Sequence, residues 1–191
     1  APAAARQLLA VWPLLSWRLG HKALFRASPS PLGGALEADL GPNELTAPCP
    51  NGPLVSVIVR THSRPASLRR AMQSLTRQTY RNFEVVVTED GADTAGEMLR
   101  TEFPQLRIDY RATGEHVGRG KAANLGMNRS HGALLCLLDD DDYFYPDHLE
   151  QLVARFTARP DCDLVLASTM ALEADVISTD PYQLAPARLR P

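Results

Sequence analysis

From residue 54 to 167, short apolar runs alternate with stretches whose apolar positions recur every three or four residues. Val55-Ser56-Val57-Ile58-Val59 is nearly continuous in apolar character, which predicts a strand covered on both faces. Leu68, Ala71, Met72 and Leu75 follow at i, i+3, i+4 and i+7 within residues 65–79. That period makes one apolar stripe along a helix. Pro65 suits its first turn, where a missing N–H costs nothing. Glu84–Thr88 predicts a second buried strand, ending at Glu89-Asp90-Gly91, a turn signal. A helix is predicted over 94–103, stopped by Pro104. Arg107–Tyr110 reads as a short alternating strand, and residues 118–129 as a loop entering a helix. The run Ala133–Leu138 predicts another buried strand. A helix carrying Leu149, Leu152, Val153 and Phe156 on one face comes next, and Leu164–Ala167 makes a last strand. Strands alternating with helices predict an α/β fold, a mainly parallel sheet flanked by helices. No internal repeat is visible.

Composition changes sharply upstream. Residues 28–53 are rich in Pro, Gly, Ser and Ala, which is linker composition. The predicted organisation is an N-terminal helical and linker segment (1–52), a compact domain (53–175) and a C-terminal tail (176–191), truncated. Leu8–Trp17 is apolar but broken by Pro13, and ten such residues cannot span a bilayer. A packing helix or the tail of an upstream domain is favoured there over an interfacial membrane helix, so membrane association has no support. Hydrophobic residues are 45% and charged residues 22%, with a net charge of −2. Bulk electrostatics therefore point to neither nucleic acid nor an anionic membrane. Cys49, Cys136 and Cys162 are far apart, form no metal-ligand pattern and suit a reducing cytoplasm.

The chemistry lies just after the strands. Four aspartates, Asp139 to Asp142, follow the run Ala133–Leu138 directly. A solvated acidic loop is the plain alternative. Adjacent carboxylates repel, and burying them unpaired is costly. A hard cation, Mg²⁺ or Mn²⁺, with a phosphorylated ligand would relieve that repulsion. Thr61-His62-Ser63-Arg64 and Glu89-Asp90 occupy the same position after two other strands. In a parallel sheet all three ends share one edge, where open α/β sheets bind ligands. Acidic groups there can hydrogen-bond a nucleobase imide and ribose hydroxyls. Arg64 and Lys121 can offer positive charge to a diphosphate. His116, His131 and His148 lack paired ligand spacing and read as surface or turn residues.

Two stretches carry a family resemblance: PLVSVIVRTHSRPASLRRAMQSLTRQTYRNFEVVVTEDGADT and GRGKAANLGMNRSHGALLCLLDDDDYFYPDHLEQLV. In order and spacing they resemble the inverting glycosyltransferases of family 2, over about Pro53 to Ala171. The resemblance implies a Rossmann-like GT-A fold, a nucleotide-sugar donor (a UDP-sugar first), a divalent metal, and a sugar or glycan acceptor. It implies that Asp90 pairs with the base and that Thr61, His62, Arg64 and Glu89 belong to the nucleotide pocket. Asp139 and Asp141 resemble the two acids of D-x-D, with Asp141 the direct metal ligand and Asp140 near the ribose. Lys121 and Asn124 fall where the family borders donor sugar and diphosphate.

Departures accompany the match. Arg60 stands in place of a common Pro, His62 in place of an aromatic residue, Glu89 in place of Asp, and Ala123 in place of an Arg. The family's general base lies beyond the last strand seen here. Glu173, Asp175 and Asp180 sit in no recognisable base motif, so the catalytic residue is left unassigned. The short tail after Ala171 predicts poor transfer by this chain alone. A non-catalytic or truncated nucleotide-sugar-binding module is the rival reading. A nucleotidyltransferase is disfavoured, because THSRP replaces a Gly-rich basic loop after the first strand.

Overall fold

The computed structural model describes residues 23–26, 52–159 and 161–167. In chain order the elements are β1 (Ala23–Arg26), β2 (Val55–Thr61), α1 (Pro65–Thr76), β3 (Phe83–Glu89), α2 (Gly96–Glu102), β4 (Ile108–Ala112), α3 (Arg119–Arg129), β5 (Leu134–Asp139), α4 (His148–Ala158) and β6 (Leu164–Leu166). The strands form one sheet in the order β4-β3-β2-β5-β1-β6. β2 pairs in parallel with both β3 and β5, and β3 with β4. β1 is antiparallel to β5 and to β6, so β6 runs in the same direction as β5. A mainly parallel sheet flanked by helices is therefore what the chain builds. From β2 the chain steps outward to β3 and β4, then returns to β5 on the other side of β2. That reversal opens a crevice at the carboxyl ends of the central strands.

β1 is an element the sequence does not announce. It lies in the stretch read as helix and linker, yet Leu24 sits opposite Cys136 in the sheet. Four residues carry too little periodicity to declare a strand, and its partner β5 is distant in the chain. The remaining expectations for residues 1–52, for Glu173, Asp175 and Asp180, and for the tail 176–191 lie outside the described residues, apart from Gly52.

The apolar pattern resolves into two layers. Val55, Val57 and Val59 pack with Leu68, Met72 and Leu75 of α1 and with Leu149, Val153 and Phe156 of α4. Ile58, Val86, Leu135 and Leu137 point to the opposite layer, against Ala123 and Met127 of α3. Successive residues of a strand face opposite ways, so a strand buried on both sides reads as a continuous apolar run. Each large side chain so buried contributes about 1.5–3 kcal/mol of hydrophobic stabilisation. α3 lies especially close to the sheet at Gly126. A Cβ there would stand 2.9 Å from Ile58 Cγ2 and 3.2 Å from Thr88 Oγ1. Glycine thus sets the distance of α3, whose first turn forms one wall of the crevice.

The polar stretch after α1 is a latch. The helix ends at Thr76, three residues before the periodic pattern stops, and frees Gln78 and Thr79 for another task. Buried Gln78 donates to the carbonyl of Tyr145 (2.7 Å) and accepts from the Leu149 N–H (3.0 Å). The Thr79 N–H donates to Pro146 (2.7 Å), and Ser74 Oγ accepts from the Phe144 N–H (3.1 Å). The loop that leaves the aspartate run is therefore pinned from behind. None of the helices among the described residues is long and apolar enough to cross a membrane.

Candidate functional site

β3, β2 and β5 are neighbours, and their carboxyl ends are level: Thr61 pairs with Glu89, and Arg60 with Asp139. The three polar groups after these strands accordingly meet at one edge. A cleft of about 240 Å³ opens there, lined by Arg60, Thr61, His62, Arg64, Asp90, His116, Arg119 and Ala122.

The aspartate run is not a solvated loop. Asp139, the last residue of β5, is paired with Arg60 at 2.7 Å. Asp140 is buried and accepts from Thr61 Oγ1 (2.7 Å) and from Arg64 Nη2 (2.6 Å). Asp141 is exposed, at 56%, and pairs with Arg64 Nη1 at 3.0 Å. Burial pushes the Asp140 carboxyl above the usual range. The Thr61 hydroxyl and Arg64 oppose that push, while Asp141 and Asp139 add to it. Burial works against the charge on Arg64, but Asp140 and Asp141 outweigh it and hold the guanidinium more firmly protonated. Two arginines thus answer three carboxylates. Charge repulsion along the run is met inside the protein, and Asp141 is the member open to solvent.

Glu89 and Asp90 are adjacent but do different work. Glu89 is fully buried. Its carboxylate accepts from the Thr94 N–H (3.0 Å), the Ala95 N–H (3.2 Å), the Thr94 hydroxyl and the Tyr110 hydroxyl (2.5 Å). Burial, followed by the hydrogen bonds to Glu89 and Asp93, holds the Tyr110 phenol well above its ordinary pKa. Glu89 is absent from the cleft lining. It organises the turn into α2, where the sequence suggested a nucleotide contact.

Asp90 does face the cleft, though it is only 3% exposed. Its carboxylate accepts from the Val117 N–H (2.6 Å) and the Gly118 N–H (3.0 Å), and His116 Nδ1 lies 2.9 Å away. Gly118 can donate here because it adopts φ +89°, a left-handed conformation that glycine tolerates. A carboxylate offers about four acceptor positions, so one remains for a ligand. His62 Nδ1 hydrogen-bonds the Asp90 carbonyl oxygen, which ties the loop after β2 to the loop after β3.

α3 supplies the third wall. Gly118 is its N-cap, and Arg119 opens its first turn. Arg119 lines the cleft and makes no ion pair among the described residues. Lys121 is exposed, and neither Lys121 nor Asn124 lines the cleft. Asn124 Oδ1 is buried with no hydrogen-bond partner among the described residues. Ala123 is 1% exposed and packs on the sheet, so an arginine at that position would have no room in this chain. Arg119, one helical turn earlier, brings a guanidinium to the cleft instead.

Of the residues singled out from sequence, Thr61, His62, Arg64 and Asp90 line the cleft, and Asp139, Asp140 and Asp141 are joined to it through Arg60, Thr61 and Arg64. Arg60, His116 and Arg119 are cleft residues the sequence did not place. A signal existed for two of them. Arg60 is a charge at the end of an apolar strand, and Arg119 sits between two glycines at a helix start. His116 had none, since only the fold brings it beside His62.

The chain is similar to known proteins over this same region. EpsH of Bacillus subtilis is 28% identical over 134 residues, covering 70% of this chain and 38% of EpsH. A crystal structure of S. aureus TarS 1-349 in complex with UDP-GlcNAc superposes with a TM-score of 0.52 at 24% identity, over 56% of this chain and 32% of that one. The mannosyltransferase PcManGT of Pyrobaculum calidifontis, in complex with GDP-Man and Mn²⁺, gives 0.51 at 20% identity, over 81% of this chain and 41% of that one. The chain thus spans well under half the length of each. These structural likenesses establish the fold, that of the GT-A glycosyltransferases. Residues 56–181, well over half of the chain, match the family described as Glycosyl transferase family 2, and the chain belongs to that family.

Proposed function

We propose that this chain forms the donor-binding part of a glycosyltransferase that takes a nucleoside diphosphate sugar, UDP-sugars first, and transfers the sugar with inversion to an acceptor hydroxyl. The observation that carries the reading is the cleft itself. Buried Asp90 and the guanidinium of Arg119 line it, and the arginine-clamped aspartate run adjoins it on the same sheet edge through Arg60 and Arg64. A base, a diphosphate and a metal need these three chemistries. The donors bound to TarS and PcManGT, UDP-GlcNAc and GDP-Man, are ligands of that kind.

In this reading Asp90 accepts from the base imide, and His62 stacks beside it. Arg119 and the N–H groups opening α3 take the diphosphate, since a helix start favours anions. Asp140 stands near the ribose. The aspartate run suits Mg²⁺ or Mn²⁺: Asp141 is an exposed oxygen ligand, and Asp139 joins it by exchanging its contact with Arg60. When bound, the ion supplies positive charge to the departing diphosphate. Releasing Arg60 and Arg64 from the carboxylates would let both turn to the phosphates.

Calorimetry tests the metal and the cations together. UDP binding is expected to strengthen with Mn²⁺ and weaken with EDTA, and Asp141→Asn to abolish most of that difference, because an amide is a poor ligand for a hard cation. Equal affinity with and without metal would sink the metal assignment. Arg119→Ala is expected to lower UDP affinity roughly ten-fold or more, as loss of a charge-assisted hydrogen bond of ~1.5–3 kcal/mol requires. Lys121→Ala is expected to cost less. A larger loss for Lys121→Ala would return the diphosphate contact to the lysine.

A further inference from the structure

His62 and His116 lie 54 residues apart in sequence, in the loops after β2 and before α3. The fold brings their rings together, with centroids 5.0 Å apart and planes tilted by 57°. Asp90 sits between them. One ligand atom from each of His62, Asp90 and His116 lies within 4.8 Å of the others, the only such grouping of His, Cys, Asp or Glu among the described residues. Both histidines are exposed, while Asp90 is buried beneath them.

We propose that His62, Asp90 and His116 form a binding site for a borderline divalent cation, Zn²⁺ in the first instance, separate from the aspartate run. Ligand type argues for this. Two imidazoles and one carboxylate suit Zn²⁺, with a fourth position left open, whereas Mg²⁺ and Mn²⁺ prefer oxygen. A tetrahedral Zn²⁺ has ligand distances of about 2.0–2.2 Å, which puts neighbouring ligand atoms roughly 3.5 Å apart. A small side-chain rotation reaches that from the present spacing. The His62 ring is already oriented: Nδ1–H donates to the Asp90 carbonyl, leaving Nε2 with its lone pair free for a metal. Local charge does not favour the ion, because Arg60, Arg64 and Arg119 line the same cleft. The selectivity therefore comes from imidazole and excludes Mg²⁺. Zn²⁺ here would occupy the remaining acceptor position of Asp90. On the reading that Asp90 holds the base, Zn²⁺ and UDP then exclude one another, and Zn²⁺ acts as an inhibitor of donor binding.

The experiment is Zn²⁺ titration of the full chain without nucleotide, against a competing chromophoric chelator. One Zn²⁺ per chain is expected, undisplaced by a large excess of Mg²⁺. His62→Gln and His116→Gln should each weaken it by at least ~10-fold, the lower bound set by losing even an orienting partner of a metal ligand. His131→Gln, an exposed histidine elsewhere, should leave it unchanged. Equal affinity in the His62 and His116 variants, or an equal loss in His131→Gln, overturns the site. Repeating the titration with uridine, which has no phosphate to chelate Zn²⁺ in solution, separates the two readings. Mutual weakening supports both. Zn²⁺ binding that is lost in the His variants but indifferent to uridine keeps the metal site and removes Asp90 from the nucleotide pocket.

Discussion

Glu89→Ala is expected to destabilise the domain by about 1–3 kcal/mol, the cost of leaving a buried donor without its charged acceptor. Glu89 is 0% exposed and accepts four hydrogen bonds, from Thr94 (two), Ala95 and Tyr110. Alanine leaves the buried Ala95 N–H without its acceptor, while exposed Thr94 can turn to water and the Tyr110 hydroxyl keeps Asp93 at 2.8 Å. Typical domains have only about 5–15 kcal/mol in total, so the loss is a large fraction. Glu89→Gln keeps the shape and one carbonyl acceptor, and should recover part of it. Tyr110→Phe removes a single donor and should cost much less than Glu89→Ala. Urea melts of the three variants give the comparison. A loss below about 1 kcal/mol for Glu89→Ala would mean that water or relaxation satisfies those donors, and the organising role would be gone.

Asp90→Ala is expected to lower UDP affinity by ten-fold or more, from ~1.5–3 kcal/mol for a buried charge-assisted hydrogen bond. The geometry adds a complication that a control resolves. Asp90 also anchors the Val117 and Gly118 N–H groups, and through them the start of α3. Losing it therefore disturbs the diphosphate wall as well as the base contact. Pyrophosphate with Mn²⁺ probes that wall alone. A base contact predicts a large loss for UDP and a small one for pyrophosphate. Equal losses for both ligands would assign Asp90 a purely positioning role. Wild-type affinity for UDP would end its assignment to the nucleotide pocket altogether.

Local pattern was enough for most of the elements, because burial imposes a period on the chain. Strands β2, β3 and β5 are covered on both faces and had to be apolar throughout; α1 and α4 are covered on one face and had to show a stripe. The turn chemistry after each strand then marked which end carries polar groups. Parallel pairing followed from strand–helix alternation, and with it the convergence of Thr61, Asp90 and Asp139 on one edge. Motif order in residues 53–171 pointed to the family. Tertiary structure decided the rest, since it depends on partners distant in sequence. Nothing local distinguishes Glu89 from Asp90, yet one is enclosed by Thr94, Ala95 and Tyr110 and the other opens to the cleft. The split between Lys121 and Arg119 follows from the phase of α3, which close packing at Gly126 fixes against Ile58 and Thr88. The pairing of Arg60 and Arg64 with the aspartate run needs β2 and β5 in register, and β1 needs β5 to exist before it has a partner. His62 and His116 meet because Asp90 binds the loop between His116 and α3 while His62 hydrogen-bonds the Asp90 backbone. Period and turn chemistry are properties of a segment, and the chain displays them residue by residue. Which charge faces which is a property of two segments at once, and only the folded sheet brings them together.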